Sequence, residues 1–290
     1  MPVRGLPAGG SGHGPARGEL LPSSTPAAGG PVIRTDRCPD VPVVRVPAGP
    51  GAAGAAAEAV EGVAGRMRDL GAALPARDGV AVFNRVYLSV TEEVRALLAA
   101  GGFADPAAAA ELVVRFAARY LAAVEEDGAG GRAAAGWRPL FRLRHHPGVH
   151  PVQFALAGIN AHIGCDLAPA VVESCRALEC GPQALEAVYE RVGGVLAGLE
   201  ERVREELMPG PDLLDVADPL THLVGAWSLE RARDAAWAAS RVLWGLRRRP
   251  VLAAEFTECA DGAVGLVGRF LLTPPAPAQS SGSSTGAIVS

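Results

Sequence analysis

The sequence predicts an all-α protein, a single-domain helical bundle or orthogonal array of about nine helices with disordered N- and C-terminal tails. Three observations carry that expectation. Between residues 55 and 273 the apolar positions recur with helical spacing, and no alternating strand pattern of useful length interrupts them. Asp-Pro, Gly-Pro and Gly-Gly signals cut this stretch into helix-sized pieces. Both ends lack periodicity: residues 1–54 are rich in Pro, Gly and Ala, and residues 274–290 are low-complexity.

In chain order, residues 55–71 place Val60, Val63, Met67 and Leu70 on one face. Asp78-Gly79 opens a helix to about Ala100, with Phe83, Val86, Tyr87, Val90, Val94 and Leu97 facing inward and Gly101-Gly102 ending it. Asp105-Pro106 starts the next, because aspartate caps free amides and proline at the first helical position loses no hydrogen bond. This helix runs to about Glu126 and buries Leu112, Val113, Phe116, Tyr120 and Val124. Residues 128–150 read as irregular, with a short turn near Trp137–Leu143. Pro151 opens a helix to about Ile163, and a separate helix follows from about Leu167 to Leu178. Gly181-Pro182 opens the longest, to about Leu207, with an apolar stripe opposite a dense Glu/Arg face. Asp218-Pro219 gives a short helix to about Ala226, Ser228 caps one to about Leu246, and Pro250 starts the last, to about Leu272. Upstream, Val41–Val46 has the character of a short extended contact.

Composition narrows the function classes. Apolar residues make up 49% and charged residues 20%, enough for a true core. All 27 basic residues are arginine, as a GC-rich coding bias would give, so single arginines say little about anion binding. With a net charge of −4 and no basic stripe, nucleic acid is not an expected partner. Neither is a membrane: no apolar run approaches the roughly 18 residues of a span, and no continuous apolar stretch near Met1 suggests a secretory signal. Five cysteines without a CxxC pair read as reduced, core-filling thiols. The expected location is the cytoplasm. GxSxG, P-loop and GxGxxG motifs are absent from any usable setting.

The informative segment is HHPGVHPVQFALAGINAHIGCDLAPAVV, residues 145–172. At about 100° per residue, Gln153, Leu156, Ala157 and Asn160 share one side of the helix from Pro151. Ala155, Ile159 and His162 share the other. No side is charged, so the helix is expected to run through the middle of the bundle, burying Gln153, Asn160 and His162. Gly158 lets another helix or a ligand come close. His162 and Asp166 stand four apart, a spacing that suits an oriented imidazole or two metal ligands. The competing reading is that Asp166 caps the helix starting near Pro169. A second pair, Asp218 and His222, has the same spacing. Together His162, Asp166, Asp218 and His222 compose a candidate site for a divalent metal, though neither HExxH nor paired ExxH is present. The acid/base candidates are His162, Asp166 and His222. A ligand-binding set is completed by Asn84 and Tyr87 on the second helix, Arg119 on the third, and Gln153, Asn160 and Trp227. Trp227, Trp237 and Trp244 also read as packing aromatics, and His145, His146 and His150 as solvated loop residues.

Several runs resemble one bacterial family. They are Asp78-Gly79-Val80, Phe83-Asn84-Arg85-Val86-Tyr87, Arg119-Tyr120-Leu121, Trp137-Arg138-Pro139-Leu140, Val152–Gly158, Asn160-Ala161-His162-Ile163, Asp166-Leu167, Asp218-Pro219-Leu220 with His222, and Trp227-Ser228-Leu229. The family is found largely in actinobacteria and carries only a domain-of-unknown-function label. The likeness spans about residues 65–272 and implies an all-helical fold, with no activity or catalytic residue attached. Family members carry polar residues between the histidine and the aspartate, where this chain has Gly164-Cys165. Two function classes therefore stay open: an enzyme or binding protein with a buried Asn/His/Asp site for a small ligand or metal, and a non-catalytic helical module that binds a ligand or a protein.

Overall fold

The computed structural model of the chain describes residues 44, 46, 49, 51–207 and 228–274, with side chains left out over 197–207. The helix expected over 218–226, with Asp218, His222 and Trp227, lies outside the described residues. Among those described, every regular element is helical. The elements are α1 (Ala52–Ala73), α2 (Gly79–Ala99), α3 (Pro106–Gly128), α4 (Arg138–Leu143), α5 (Pro151–Ala161), a π-helical turn (His162–Leu167), α6 (Ala168–Ala177), α7 (Pro182–Leu207), α8 (Leu229–Leu246) and α9 (Pro250–Leu271).

The helix starts follow from local chemistry. Asp78 Oδ1 accepts the Val80 amide at 2.8 Å, and Asp105 Oδ1 accepts that of Ala108 at 2.9 Å. Ser228 caps α8 through the Arg231 amide. Gly101 stops α2 in the left-handed region (φ 73°) that glycine enters without strain. The turn expected near Trp137 is α4. Packing begins ahead of residue 55: α1 starts at Ala52, Val44 and Val46 pack on the core, and the Val44 amide donates to Glu111 Oε2 at 2.6 Å.

Two helices form the interior. The first is α3, buried without a break from Ala108 to Ala118, so even Glu111 (0% exposed) is enclosed, paired with Arg115 one turn on. The second is the run of α5, the π turn and α6, packed against α2, α3, α8 and α9. The two helices expected over 151–163 and 167–178 are thus one continuous rod. Pro169 supplies the reason. It has no amide to offer the Cys165 carbonyl, and its ring crowds that carbonyl; a π turn just before it absorbs the mismatch without ending the helix. Asp166 therefore sits inside the rod and does not cap a new helix.

This fusion also corrects the expectation about apolar runs. Pro151–Ala177 is long and apolar enough to cross a membrane, its most apolar 18 residues having a mean hydropathy of 1.3, yet 78% of those residues are buried by the rest of the chain. Its apolar surface is used as core.

Gly158 explains how closely the two layers approach. A Cβ there would lie 2.3 Å from Phe83 Cγ of α2. Gly158→Ala is expected to destabilise the fold by about 1–3 kcal/mol through overpacking, read from urea unfolding. Phe83→Leu in the same chain should recover part of that loss, as a double-mutant cycle would show.

Candidate functional site

His162 opens the π turn and Asp166 lies four residues along it, so both side chains leave the rod on one face. Imidazole Nδ1 is 2.9 Å from Asp166 Oδ2. The same oxygen accepts the Trp137 indole N–H at 3.0 Å from the start of α4. Asp166 Oδ1 lies 3.7 Å from Arg119 Nε of α3, and Arg119 Nη1 donates to Glu173 Oε1 of α6 at 2.7 Å. One carboxylate thus gathers three segments of the chain.

Aromatic rings enclose the imidazole. Phe116 stacks on it with centroids 3.6 Å apart and planes 6° from parallel. Tyr87 meets it edge-on at 4.3 Å and Phe83 and Tyr120 edge-on at 5.9 Å, while Trp137 lies tilted at 6.1 Å. His162 is 2% exposed and Asp166 4%.

Burial holds the His162 pKa below its ordinary value; the hydrogen bond and charge of Asp166 oppose this, and the Arg119 charge reinforces it. At neutral pH the ring is therefore neutral. With Asp166 accepting from Nδ1–H, the lone pair sits on Nε2. Nε2 is buried and has no hydrogen-bond partner. Tyr87 Oη is in the same condition. Burial, and then the Asp166 charge, push its pKa well up against the opposing pull of the Thr91 side chain, so it stays a phenol able to donate. The Thr91 hydroxyl beside it donates to the Tyr87 carbonyl at 2.9 Å. An unmet acceptor and an unmet donor thus belong to rings in contact, each costing about 1–3 kcal/mol if left dry and unpaired.

The other expected ligand-binding amides are used inside the fold. Asn84 Nδ2 donates to the Met67 carbonyl at 2.8 Å, and its Oδ1 accepts from Tyr120 Oη at 3.2 Å. Gln153 Nε2 donates to the Leu271 and Thr273 carbonyls, both at 2.8 Å, while its Oε1 accepts the His150 amide at 2.9 Å. Asn160 Nδ2 donates to the Val264 carbonyl at 3.1 Å. Arg119 alone of the remaining set joins the His162 cluster. Asp218, His222 and Trp227 lie outside the described residues. His145 stands 3.4 Å from Asp78 Oδ2, and His146 accepts the Gly148 amide, both away from His162. A surface depression of about 330 Å³ over α1 and α2, lined by Met67, Arg68, Leu74, Asn84, Arg85 and Leu88, is separate from the dyad.

For a metal, the geometry differs from the expected shared ligation. Asp166 stands behind the imidazole, its Oδ2 taken by His162 and Trp137, in the orienting position of a carboxylate–histidine pair. Among the described residues no group of three or more His, Cys, Asp or Glu side chains gathers to hold an ion.

Sequence reasoning missed Glu173, the Phe116 stack and the indole bond of Trp137. Trp137 and Asp166 are 29 residues apart, and Arg119 and Glu173 are 54 apart; no local spacing signals either pair.

A family model described as a family of unknown function (DUF5995) matches residues 60–274 of the chain. No curated protein and no solved structure matches it.

A pH dependence follows from the buried imidazole. Because its native pKa lies below the unfolded value of 6.5, the unfolded chain binds the extra proton first as pH falls. The stability contributed by neutral His162 is full above that value and declines as pH drops toward the native pKa, by up to about 1.4 kcal/mol per pH unit. Urea unfolding from pH 7.5 to 5 should show a shallower slope for His162→Gln than for the parent chain.

Proposed function

Since the chain belongs to this family of unknown function, whose description assigns no reaction, the site must carry the reading, and we propose that the His162–Asp166 dyad is the centre of a small-molecule site whose working atom is His162 Nε2. The observation behind this is the pair of unmet buried atoms, His162 Nε2 and Tyr87 Oη, on touching rings. An unmet acceptor and a donor on neighbouring rings suit a compact neutral molecule that offers and accepts one hydrogen bond, such as an alcohol, amide or phenol. Asp166 fixes the tautomer and supports a positive ring, so Nε2 is also the atom that would take a proton if the bound molecule reacts. Trp137 and Arg119 hold the carboxylate in place. The chain's net charge of −4, without a basic stripe, supports a small molecule over a nucleic acid as the partner.

The second class, a non-catalytic helical module, has its own supporting observation: Asn84, Gln153 and Asn160 all bond to other parts of the chain. In that reading the polar core specifies one packing arrangement, and the dyad is one more such device.

Melting shifts separate the two. A panel of small neutral alcohols, amides and phenols is expected to contain members that raise the Tm of the parent chain, with the rise lost in folded His162→Gln and reduced in Tyr87→Phe. The site reading fails if no member shifts the parent, or if the same members shift His162→Gln equally. A His162→Phe, Asp166→Leu double variant that melts higher than the parent would favour the structural module, since apolar replacement of a buried polar pair is often stabilising.

A further inference from the structure

The end of α6 carries a second chemical feature, independent of the His162 site. Its last turn closes as a Schellman motif. Leu178 is the C-cap, Glu179 takes the left-handed conformation (φ 52°), the Cys180 amide donates to the Cys175 carbonyl at 2.9 Å, and the Glu179 amide donates to the Arg176 carbonyl at 3.3 Å. This motif folds the second residue past the cap back onto the third residue before it, and an apolar pair frequently meets there. Here the pair is Cys175 and Cys180, close enough that, after burial, Cys180 raises the Cys175 pKa further. Cys175 is fully buried, while Cys180 is half-buried against the same core. Of the other described cysteines, Cys165 faces Gly136 and Asp261, and Cys259 is exposed on α9.

We propose that Cys175 and Cys180 are a redox-active pair that closes to a reversible disulfide under a mild oxidant such as hydrogen peroxide. The motif bonds the backbones of the two residues to each other before any reaction, so closure needs side-chain rotation and no unfolding of α6. The order of events follows from exposure. Cys180 meets peroxide first: its sulfur takes one oxygen to become a sulfenic acid, the O–O bond breaks, and one water leaves. The Cys175 sulfur then attacks the Cys180 sulfur. The S–S bond forms, the S–O bond breaks, and the departing hydroxide leaves as a second water with the Cys175 proton. The two sulfurs together lose two electrons, and one peroxide becomes two waters. Burial, and then the nearness of Cys180, push the Cys175 thiol up to about 12, which keeps it from reacting with peroxide itself and makes its attack on the Cys180 sulfenic acid the slow step. A dithiol reductant reverses the step.

The test uses the full chain, reduced, exposed to hydrogen peroxide, blocked with N-ethylmaleimide and digested with trypsin. Cleavage after Arg176 separates the two cysteines, so the expected result is two peptides joined through Cys175 and Cys180 and parted by dithiothreitol, with helicity by circular dichroism unchanged. Cys180→Ser, or Cys180→Ala if the serine variant does not fold, should yield no link and leave Cys175 unoxidised. The proposal is overturned if both thiols are alkylated after peroxide, if Cys180 pairs with Cys38 or Cys259, if Cys180 stops at the sulfinic acid, or if the link forms only in denaturant.

Discussion

The structure depends on enclosing a helix that has no solvated face. From Pro151 to Cys165 the chain carries no Asp, Glu, Lys or Arg, so the remaining helices must surround it. Enclosure then dictates what its few polar side chains do. Gln153 ties the end of α9 to the start of α5, and Asn160 holds the middle of α9 through a carbonyl. Asp166, whose charge is costly to bury alone, collects His162, Trp137 and Arg119. These interior polar groups are therefore joints between helices, while His162 Nε2, Tyr87 Oη and Ser174 Oγ make no such bond.

What the sequence made legible was whatever is written locally. Asp78, Asp105 and Ser228 cap helices because a side-chain oxygen two or three residues from a free amide needs no tertiary help. The burial of α5 could be read because charges are missing from every side of it. The burial of α3 could not: alanine marks no apolar stripe, and Glu111 and Arg115 look like a solvated pair until each is seen to serve the other in the interior. Pro169 misled in a different way. A proline after an aspartate has the form of a helix start, and only the continuous rod shows it as the cause of a π turn. Of the candidate site, the His162–Asp166 spacing was readable because four residues is a helical repeat. Glu173 and the indole of Trp137 arrive from remote parts of the chain, and no periodicity announces them.

The aromatic box bears on the chemistry as well as the packing. A face-stacked Phe116 and edge-on Tyr87 fill the space where water would otherwise solvate a charged ring, which is why burial outweighs the carboxylate in setting His162 neutral. A group poised in this way can accept a hydrogen bond or a proton only from something brought into the box, and Arg119 and Glu173, 13% and 12% exposed at their side chains, lie on its more open side.

The bond from the Val44 amide to Glu111 changes where the protein begins in an energetic sense. Glu111 lies in the second turn of α3 with its charge countered by Arg115, and one of its carboxylate oxygens accepts from Val44, ahead of every described helix. Val44 is thus a structural member, set against the interior like a keystone. A boundary drawn at the first helix would strip a buried carboxylate of a donor and loosen the fold from its inside outward.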